Sequence, residues 1–220
     1  MLSVDAPEVE VGDGRRARSV RGRTAVIDAV LELLHEGNLR LSVDDVARRA
    51  GVSPASVFRY FENLDELHRL AFEHQLEQVV PMLHIPGLTT LDPDRRVAAF
   101  AAGRLRVYEV IAGPARMCRV RAAEYPVVAD SLTRARRLWL RQVRDVFARE
   151  LAPLGRAERR DVAAMVDTVA SFEAWDLLRT SHDIPTRSIQ ARWSSTILQL
   201  VGAGPTSQPP ELPDAEDSVV

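Results

Sequence analysis

The chain has 220 residues, of which 46% are hydrophobic and 27% are charged, so it is long enough to bury a sizeable core. Its formal net charge of −2 argues against a protein that coats nucleic acid uniformly, but it allows a local basic surface. A single cysteine, Cys118, excludes an intrachain disulfide, and the absence of a secretory or membrane-spanning pattern leads us to expect a cytoplasmic protein.

Both ends of the chain have compositions typical of disordered segments. Residues 1–20 begin acidic and turn basic at Arg15, and we predict a disordered N-terminal arm there. Residues 203–220 combine prolines with acids and contain no basic residue, which predicts a disordered acidic tail. All cationic side chains are arginines, which suit bidentate contacts with phosphate or guanine, although genomic base composition explains this bias equally well.

Residues 21–82 carry the apolar spacing and the capping residues of short helices. One helical face consists of Val26, Ile27, Val30, Leu31 and Leu34. Ser42, Ser53 and Asn63 are each placed to cap a following helix, and Pro54 suits the first turn of the helix that Ser53 caps. Gly51 stands where a helix ends in a left-handed residue. We therefore predict a small helical domain over residues 21–82.

The rest of the chain is predicted to be helical as well. Helical spacing runs through residues 93–112, 114–124, 126–152, 156–180 and 186–201, with breaks at positions such as Gly113 and Pro114. No alternating strand pattern persists. The expected fold class is all-α with about nine helices, in which a three-helix head precedes a C-terminal helical bundle at residues 91–202.

The turn between the second and third predicted helices has the features of a helix-turn-helix. Ala47 is small enough for the two helices to approach closely, and Gly51 adopts backbone angles that are costly for other residues. The wedge between the helices is filled by Val46, Val52 and Val57. Such a unit presents its second helix to a DNA major groove, while an ordinary corner between two helices is the alternative.

The run from Ser42 to Leu67, SVDDVARRAGVSPASVFRYFENLDEL, resembles the DNA-binding signature of TetR-type (TetR/AcrR) transcriptional regulators. The resemblance covers about residues 22–70, and the remainder agrees only in length and helical layout. It implies a homodimer, a pocket for a small-molecule effector in the C-terminal bundle, and dimerisation through the last two long helices.

Two positions depart from the family pattern. The family commonly has Tyr at position 58, where its hydroxyl reaches a phosphate, but Phe58 has no hydroxyl. It commonly has Lys at position 64, where this chain has Leu64. Each lost phosphate contact is expected to flatten the salt dependence of DNA binding by about one unit of slope.

By this resemblance, the DNA-binding residues are expected to be Ser42, Val43, Ser53, Ala55, Ser56, Phe58, Arg59, Tyr60, Arg21 and Arg23. Ala55 is placed for a thymine methyl, Ser56 for a base or phosphate, and Arg59 for guanine or phosphate. Tyr60 offers a hydroxyl to phosphate. The alternatives are a helix cap without DNA contact for Ser42, a solvated side chain for Arg59 and a packed aromatic ring for Tyr60.

The arginine-rich segment offers further DNA contacts. Its members are Arg15, Arg16, Arg18, Arg21 and Arg23. They are placed to follow the DNA backbone or to enter a minor groove, or else they form a disordered charge run. Arg48 and Arg49 are expected to be solvated rather than bound.

Effector and dimer residues are assigned by resemblance. The effector candidates are Phe100, Arg104, Tyr108, Met117, Cys118, Tyr125, Trp139 and Phe172. The expected dimer interface comprises Val162, Val166, Val169, Ile189, Trp193, Ile197 and Leu200. For both sets, ordinary packing inside a helical bundle is the alternative.

Together these features predict a sequence-specific transcriptional regulator, a ligand-responsive repressor that binds a palindromic operator in double-stranded DNA as a homodimer. No catalytic set or metal-ligand spacing stands out, so we expect no enzyme activity, cofactor, metal or membrane association. An enzyme and a helical adaptor are the alternatives from other classes. Operator, effector and the choice between repressor and activator stay open.

Overall fold

In a computed structural model of the protein, residues 11–38 and 40–202 are described, and within them ten α-helices and two 3-10 helices form without a strand. The α-helices are α1 (Val11–His35), α2 (Val43–Ala50), α3 (Pro54–Tyr60), α4 (Leu64–Val79), α5 (Pro93–Ala122), α6 (Pro126–Val146), α7 (Ala148–Leu151), α8 (Arg156–Val169), α9 (Phe172–Thr180) and α10 (Thr186–Gly202). The 3-10 helices are Val80–Leu83 and Leu88–Thr90. The predicted all-α class is confirmed.

The residues fall into two compact units that do not follow the predicted linear division. Unit 1 contains the described residues up to Ile85 together with Gly103–Leu138, and unit 2 contains Pro86–Ala102 together with the described residues from Trp139 onward. Helices α5 and α6 therefore contribute to both units. The boundary predicted between residues 82 and 91 misses this exchange, because contacts between helices distant in sequence leave no local signal.

Unit 1 is organised around an apolar core formed by α1 to α4 and one turn of α5. Val26, Val30 and Leu34 of α1 are fully buried there, and Met117 of α5 packs among them. A second cluster joins Phe72 of α4 to residues of α5 and α6, namely Cys118, Val128, Leu132 and Ala135. These contacts attach the middle of the chain to the N-terminal helices.

The first helix begins earlier than the sequence analysis predicts. Helix α1 starts at Val11, so residues 11–20 are helical where we expected a disordered arm, while residues 1–10 lie outside the described part of the chain. Once the buried part of a helix has formed, each added residue contributes a backbone hydrogen bond without a new nucleation cost. Ala and Arg also have high helix propensity, which favours this extension.

Helix α5 continues through Gly113 and Pro114, where we predicted a break. Both residues are buried, and Ala115 beyond them is almost inaccessible to solvent. A Cβ atom at Gly113 would overlap the backbone carbonyl of Leu34, so glycine allows α5 and α1 to approach backbone to backbone. Packing on both sides of the proline outweighs the lost hydrogen bond.

Two other helices end sooner than predicted. The segment 126–152 is divided at Phe147 into α6 and α7, and the segment 156–180 is divided near Ser171 into α8 and α9. The Ser171 side chain accepts a hydrogen bond from the Ala174 backbone N–H and so caps α9. A serine at this spacing is a capping signal that the sequence analysis overlooked.

Unit 2 is a helical bundle in which α10 contacts α7, α8 and α9. Ile189, Trp193 and Ile197 place one face of α10 in its core, and the rings of Phe172 and Trp175 pack 5.3 Å apart on α9. Among the described helices, none combines the length and apolarity needed to cross a lipid bilayer.

Candidate nucleic-acid interface

Helices α2, α3 and α4 each begin at a capping side chain, and these caps fix the position of α3. Ser53 Oγ accepts a hydrogen bond from the Ser56 N–H at 3.2 Å, and Ser42 Oγ accepts one from the Asp45 N–H at 3.1 Å. Asn63 Oδ1 accepts the Glu66 N–H at 2.8 Å. Gly51 ends α2 with φ of 67°, in the left-handed region where glycine is favoured. The three predicted caps and the glycine turn are confirmed.

The underside of α3 is apolar and buried. Val57 and Phe61 are each 2% exposed, and they pack in the same core as Val46 and Ala47 of α2. Val52 of the turn packs against this core, as predicted. Because one face of α3 is fixed to the domain, the opposite face is a rigid surface that is open to a partner.

The outward face of α3 exposes Ala55, Phe58 and Arg59, while Ser56 and Tyr60 are half-buried. Phe58 is 59% exposed, which is unusual for a large aromatic side chain in a protein surface. Its ring has no hydroxyl to donate, so the chemistry available to it is apolar contact, such as contact with a thymine methyl.

Arg59 is oriented by its neighbours on α3. Its Nη2 group donates to Ser56 Oγ at 3.1 Å and lies 3.5 Å from the Tyr60 hydroxyl, and its guanidinium lies 5.2 Å from the centre of the Tyr60 ring. Ser56 Oγ is also 3.0 Å from Ser53 Oγ. This network places the guanidinium on the outward face, where bidentate contact with guanine or phosphate is possible.

Tyr60 also contacts α1. A Cβ atom at Gly22 would overlap the Tyr60 hydroxyl, so the glycine makes room for the ring end. The ring of Tyr60 lies edge-on to Phe61 at 6.5 Å. Tyr60 therefore has a packing role, and the sequence analysis did not foresee that Gly22 accommodates it.

The hydroxyl of Ser42 is engaged within its own helix start. Besides accepting from the Asp45 N–H, it donates to Asp45 Oδ2 at 2.6 Å. That donated hydrogen bond is the main reason why the pKa of Asp45 lies below its ordinary value. The arrangement favours the capping role for Ser42, and Val43 beside it is half-buried.

Arg48 and Arg49 are tied to carboxylates of the same unit. Arg49 pairs with Glu36 at 2.8 Å and with Glu32 at 3.3 Å, and Arg48 pairs with Asp45 at 3.1 Å. The hydrogen bonds from Arg49 hold the pKa of Glu36 below its ordinary value. These ion pairs agree with the expectation that neither arginine is a principal DNA contact.

The arginines of α1 divide into two groups. Arg16, Arg18 and Arg21 are exposed on the helix surface. Arg23 instead lies 3.6 Å from Glu66 Oε1, and its guanidinium stacks 5.2 Å from the centre of the Phe61 ring. The side chain of Arg15 lies outside the described residues. Arg16, Arg18 and Arg21 are therefore exposed positive charges distributed around α1, whereas Arg23 has a structural contact.

The predicted effector residues do not form one group. Arg104, Tyr108, Met117, Cys118 and Tyr125 belong to unit 1, and Phe100, Trp139 and Phe172 belong to unit 2. Most are core residues, and Met117 in particular belongs to the apolar core of the N-terminal helices.

Three of these candidates, Arg104, Tyr108 and Cys118, are completely buried in unit 1. Arg104 and Tyr108 are completely buried on α5, and Arg104 Nη1 donates to the Tyr108 hydroxyl at 3.0 Å. Cys118 is fully buried, and burial raises the pKa of its thiol to about 11. A thiol of this kind is protonated at neutral pH and is poorly suited to sensing oxidants.

The predicted dimer interface needs correction. Val166, Ile189, Trp193 and Ile197 are at most 3% exposed within the single chain, so they form the core of unit 2 and are not available to a partner. Val162, Val169 and Leu200 are half-buried. The helical period was recognised correctly, but an apolar stripe does not reveal whether the chain itself or a second copy covers it.

Within residues 11–38 and 40–202, no group of three or more His, Cys, Asp or Glu side chains is arranged to bind a metal ion.

Comparisons with known proteins agree with this geometry. Residues 26–69, which run from the C-terminal part of α1 through α2 and α3 to the first turns of α4, match the family of bacterial regulatory proteins described as the tetR family. The sequence has no match among curated proteins.

Several solved structures share the fold. A transcriptional regulator from Rhodococcus sp. RHA1 is 23% identical, with a TM-score of 0.62 over 85% of this chain and 99% of that chain. A tetR-family regulator from Streptomyces coelicolor has a TM-score of 0.67 at 15% identity, covering 81% of each chain. A TetR regulator from Haloarcula marismortui has a TM-score of 0.66 at 16% identity, covering 82% of this chain and 96% of that chain.

Proposed function

We propose that this chain is a TetR-type transcriptional regulator, namely a homodimeric repressor that releases a palindromic operator when a small molecule binds. The match of residues 26–69 to the tetR family of bacterial regulatory proteins supports the DNA-binding part of the proposal. DNA-binding regulation is the function of the family. We propose that the protein acts in the cytoplasm. Its proposed role requires no catalytic activity and no cofactor.

The observation that carries the proposal is the two-sided character of α3. Val57 and Phe61 anchor the helix in the core, while Ala55, Phe58 and Arg59 point outward. The helix is short, capped and preceded by a tight turn, which is the geometry that places a recognition helix in a major groove. A helical adaptor has no requirement for this exposed surface.

The direct experiment is selection of bound sequences from random duplex DNA, followed by affinity measurements on the selected site. We expect a palindrome whose half-sites are separated by about one helical turn or more. Arg59→Ala should weaken binding by about 5- to 150-fold, as expected for loss of a bidentate base contact.

Arg48→Ala is the matched control, because Arg48 is also exposed in the head but lies on α2. It should change the affinity by less than about threefold, in keeping with a weak surface ion pair. Recovery of no common sequence, or equal losses in the two variants, would contradict the proposal.

Release by a ligand is proposed to be a shift between two conformations of the dimer. A ligand shifts such an equilibrium only as far as its affinities for the two conformations differ. The ligand must therefore bind the free dimer more tightly than the operator-bound dimer. Equal affinity of a releasing ligand for both forms, measured by calorimetry, would refute this mechanism.

A further inference from the structure

A cleft of about 810 Å³ lies in unit 2, where the end of α6, the single turn of α7 and the start of α8 meet. Its volume falls in the range of sites that enclose one small molecule, roughly 300–1,000 Å³. None of the predicted effector residues lines it. The residues that line it combine arginines with small or branched apolar side chains and include no acid.

Four arginines surround the cleft, and two of them have no partner within the described residues. Arg159 donates to the carbonyls of Leu151, Ala152 and Leu154, and Arg160 pairs with Asp161 at 2.8 Å. Arg144 and Arg156 are exposed, and the described structure contains no hydrogen bond or ion pair from either of them. Two guanidinium groups at one cleft, with no carboxylate in its lining, are suited to an anion.

The wall of the cleft is fixed before any ligand binds. Arg96 of α5 is 3% exposed and pairs at 2.8 Å with Glu150 of α7. Arg159 of α8 donates hydrogen bonds to the carbonyls of Leu151 and Ala152 at the end of α7. The rings of Phe100 and Phe147 pack 5.2 Å apart beside it. Because α7 is held from two sides, only the heads of Arg144 and Arg156 need to become ordered on binding.

The remaining lining is apolar, formed by Ala148, Leu151, Ala152 and Ala157. The three alanines leave space in the cleft and offer no polar atom beyond the backbone. Such a floor suits a hydrocarbon chain or ring. A lone small ion would leave this apolar space unfilled.

We propose that this cleft is a binding site for a free amphiphilic anion, a molecule with one carboxylate or phosphate head and an apolar body. The head lies between Arg144 and Arg156, and the body covers the alanine-lined floor. The sequence signal for the site is the arginine-rich start of α8, in the run from Arg156 to Arg160, which our sequence analysis did not use. The site does not depend on DNA binding, so it can be tested without an operator.

Calorimetric titration of the full chain with decanoate and with octyl phosphate, each kept below its micelle concentration, tests the proposal directly. Both should bind, whereas 1-decanol, which lacks the charge, and acetate, which lacks the apolar body, should each bind at least about tenfold more weakly. Equal binding of acetate and decanoate would overturn the amphiphilic assignment, and absence of binding by both probes would overturn the site.

The double substitution Arg144→Gln with Arg156→Gln should weaken decanoate binding by at least about tenfold, because charged hydrogen bonds are lost. The matched control, Arg141→Gln with Arg187→Gln, removes the same charge from exposed positions of unit 2 outside the cleft. The control should change affinity by less than about twofold at physiological salt, because screened charges contribute little. Equal losses would indicate general charge attraction and overturn the site.

Two further measurements exclude other occupants. Binding to vesicles that contain an anionic lipid, without binding to free decanoate, would overturn the proposal in favour of a membrane surface. The second measurement uses a chain that ends at Gly202. Binding of decanoate only after removal of residues 203–220 would overturn the proposal and would assign the cleft to the acids of that segment, among them Glu211 and Asp214. Ala148→Trp fills the cleft from an exposed position and should abolish binding.

Discussion

At the scale of single residues, Gly113 shows how one missing methyl group allows two helices to touch. A Cβ atom there would meet the Leu34 carbonyl and the His35 amide nitrogen. Neither backbone atom can turn away as the end of a flexible side chain can. The glycine also stands directly before Pro114, so two residues that normally interrupt a helix are retained inside α5 by packing.

Gly113→Ala is expected to lower the free energy of unfolding. Overpacking costs about 3 kcal/mol in a tight core, and this exceeds the gain of about 1 kcal/mol that Ala has over Gly inside a helix. The net loss of about 2 kcal/mol is measurable by urea denaturation. Gly155→Ala is the control, because no atom lies within 4 Å of a Cβ there; it should change stability by less than about 1 kcal/mol. Equal effects of the two substitutions would contradict this account.

The protonation of His68 on α4 is determined by its buried environment. It is 2% exposed, and its Nδ1 atom has no hydrogen-bond partner in the described structure. Burial, assisted by the positive charge of Arg121, lowers the pKa of His68 from 6.5 to about 4. The imidazole is therefore neutral in the folded protein at neutral pH.

The lowered pKa predicts acid sensitivity. Between pH 6.5 and about pH 4 the unfolded chain binds a proton at His68 while the folded chain does not, so stability falls as the pH falls through this window. The full loss attributable to His68 is on the order of 3 kcal/mol. His68→Gln should flatten the stability curve there, and the exposed His84→Gln should not. The same pH dependence in both variants would rule out His68 as the cause.

At the scale of elements, α1 combines a buried C-terminal half with exposed arginines in its N-terminal half. Its C-terminal half fills the core through Val26, Val30 and Leu34, while Arg16, Arg18 and Arg21 lie on its surface. A helix presents these side chains in fixed directions, whereas a disordered arm would have to lose entropy before it contacted DNA.

Replacing Arg16, Arg18 and Arg21 with Gln should weaken operator binding and reduce its salt dependence. If all three contact phosphates, the slope of log affinity against log salt should fall by about 2–3 units. Fluorescence anisotropy over a range of salt concentrations measures this slope. A triple change of the exposed Arg137, Arg141 and Arg187 to Gln serves as the control. An unchanged slope in the α1 variant would exclude this surface from the interface.

Helix α3 shows which features of a helix can be predicted from the local sequence and which cannot. Its start at Pro54, its cap at Ser53 and its buried Val57 follow from spacing alone. The contact of Tyr60 with Gly22 and the ion pair of Arg23 with Glu66 do not, because they join residues that are distant in sequence. Local preferences therefore predicted the helix and its two faces but not the orientation of every side chain on it.

For the whole molecule, the proposed dimer needs a contact surface that leaves out the buried members of the predicted apolar set, namely Val166, Ile189, Trp193 and Ile197. Met165 of α8 is 51% exposed, and it shares a helical face with the half-buried Val162 and Val169. In a two-fold dimer the same surface is used by both copies. We infer that this face of α8 lies in the proposed interface.

Met165→Glu should therefore shift the dimer towards monomers, because each charge would be buried against its symmetry mate. We expect the dimer dissociation constant to rise by at least about tenfold, as measured by sedimentation equilibrium. Leu177→Glu is the control, since Leu177 is 53% exposed on α9 and undergoes the same change in chemistry. A wild-type chain that is monomeric at micromolar concentration would contradict the proposed dimer itself.

Local spacing was enough to predict the helical class, the caps of α2 to α4 and the apolar side of α3, because these depend on residues within one or two turns of each other. Three features became visible only in the folded chain: α5 passes through Gly113 and Pro114, Trp193 is internal, and Arg144 and Arg156 line one cleft. Each of these outcomes depends on which distant backbone covers a residue. Local spacing does not identify that distant segment, because the same apolar or charged pattern is compatible with several neighbours.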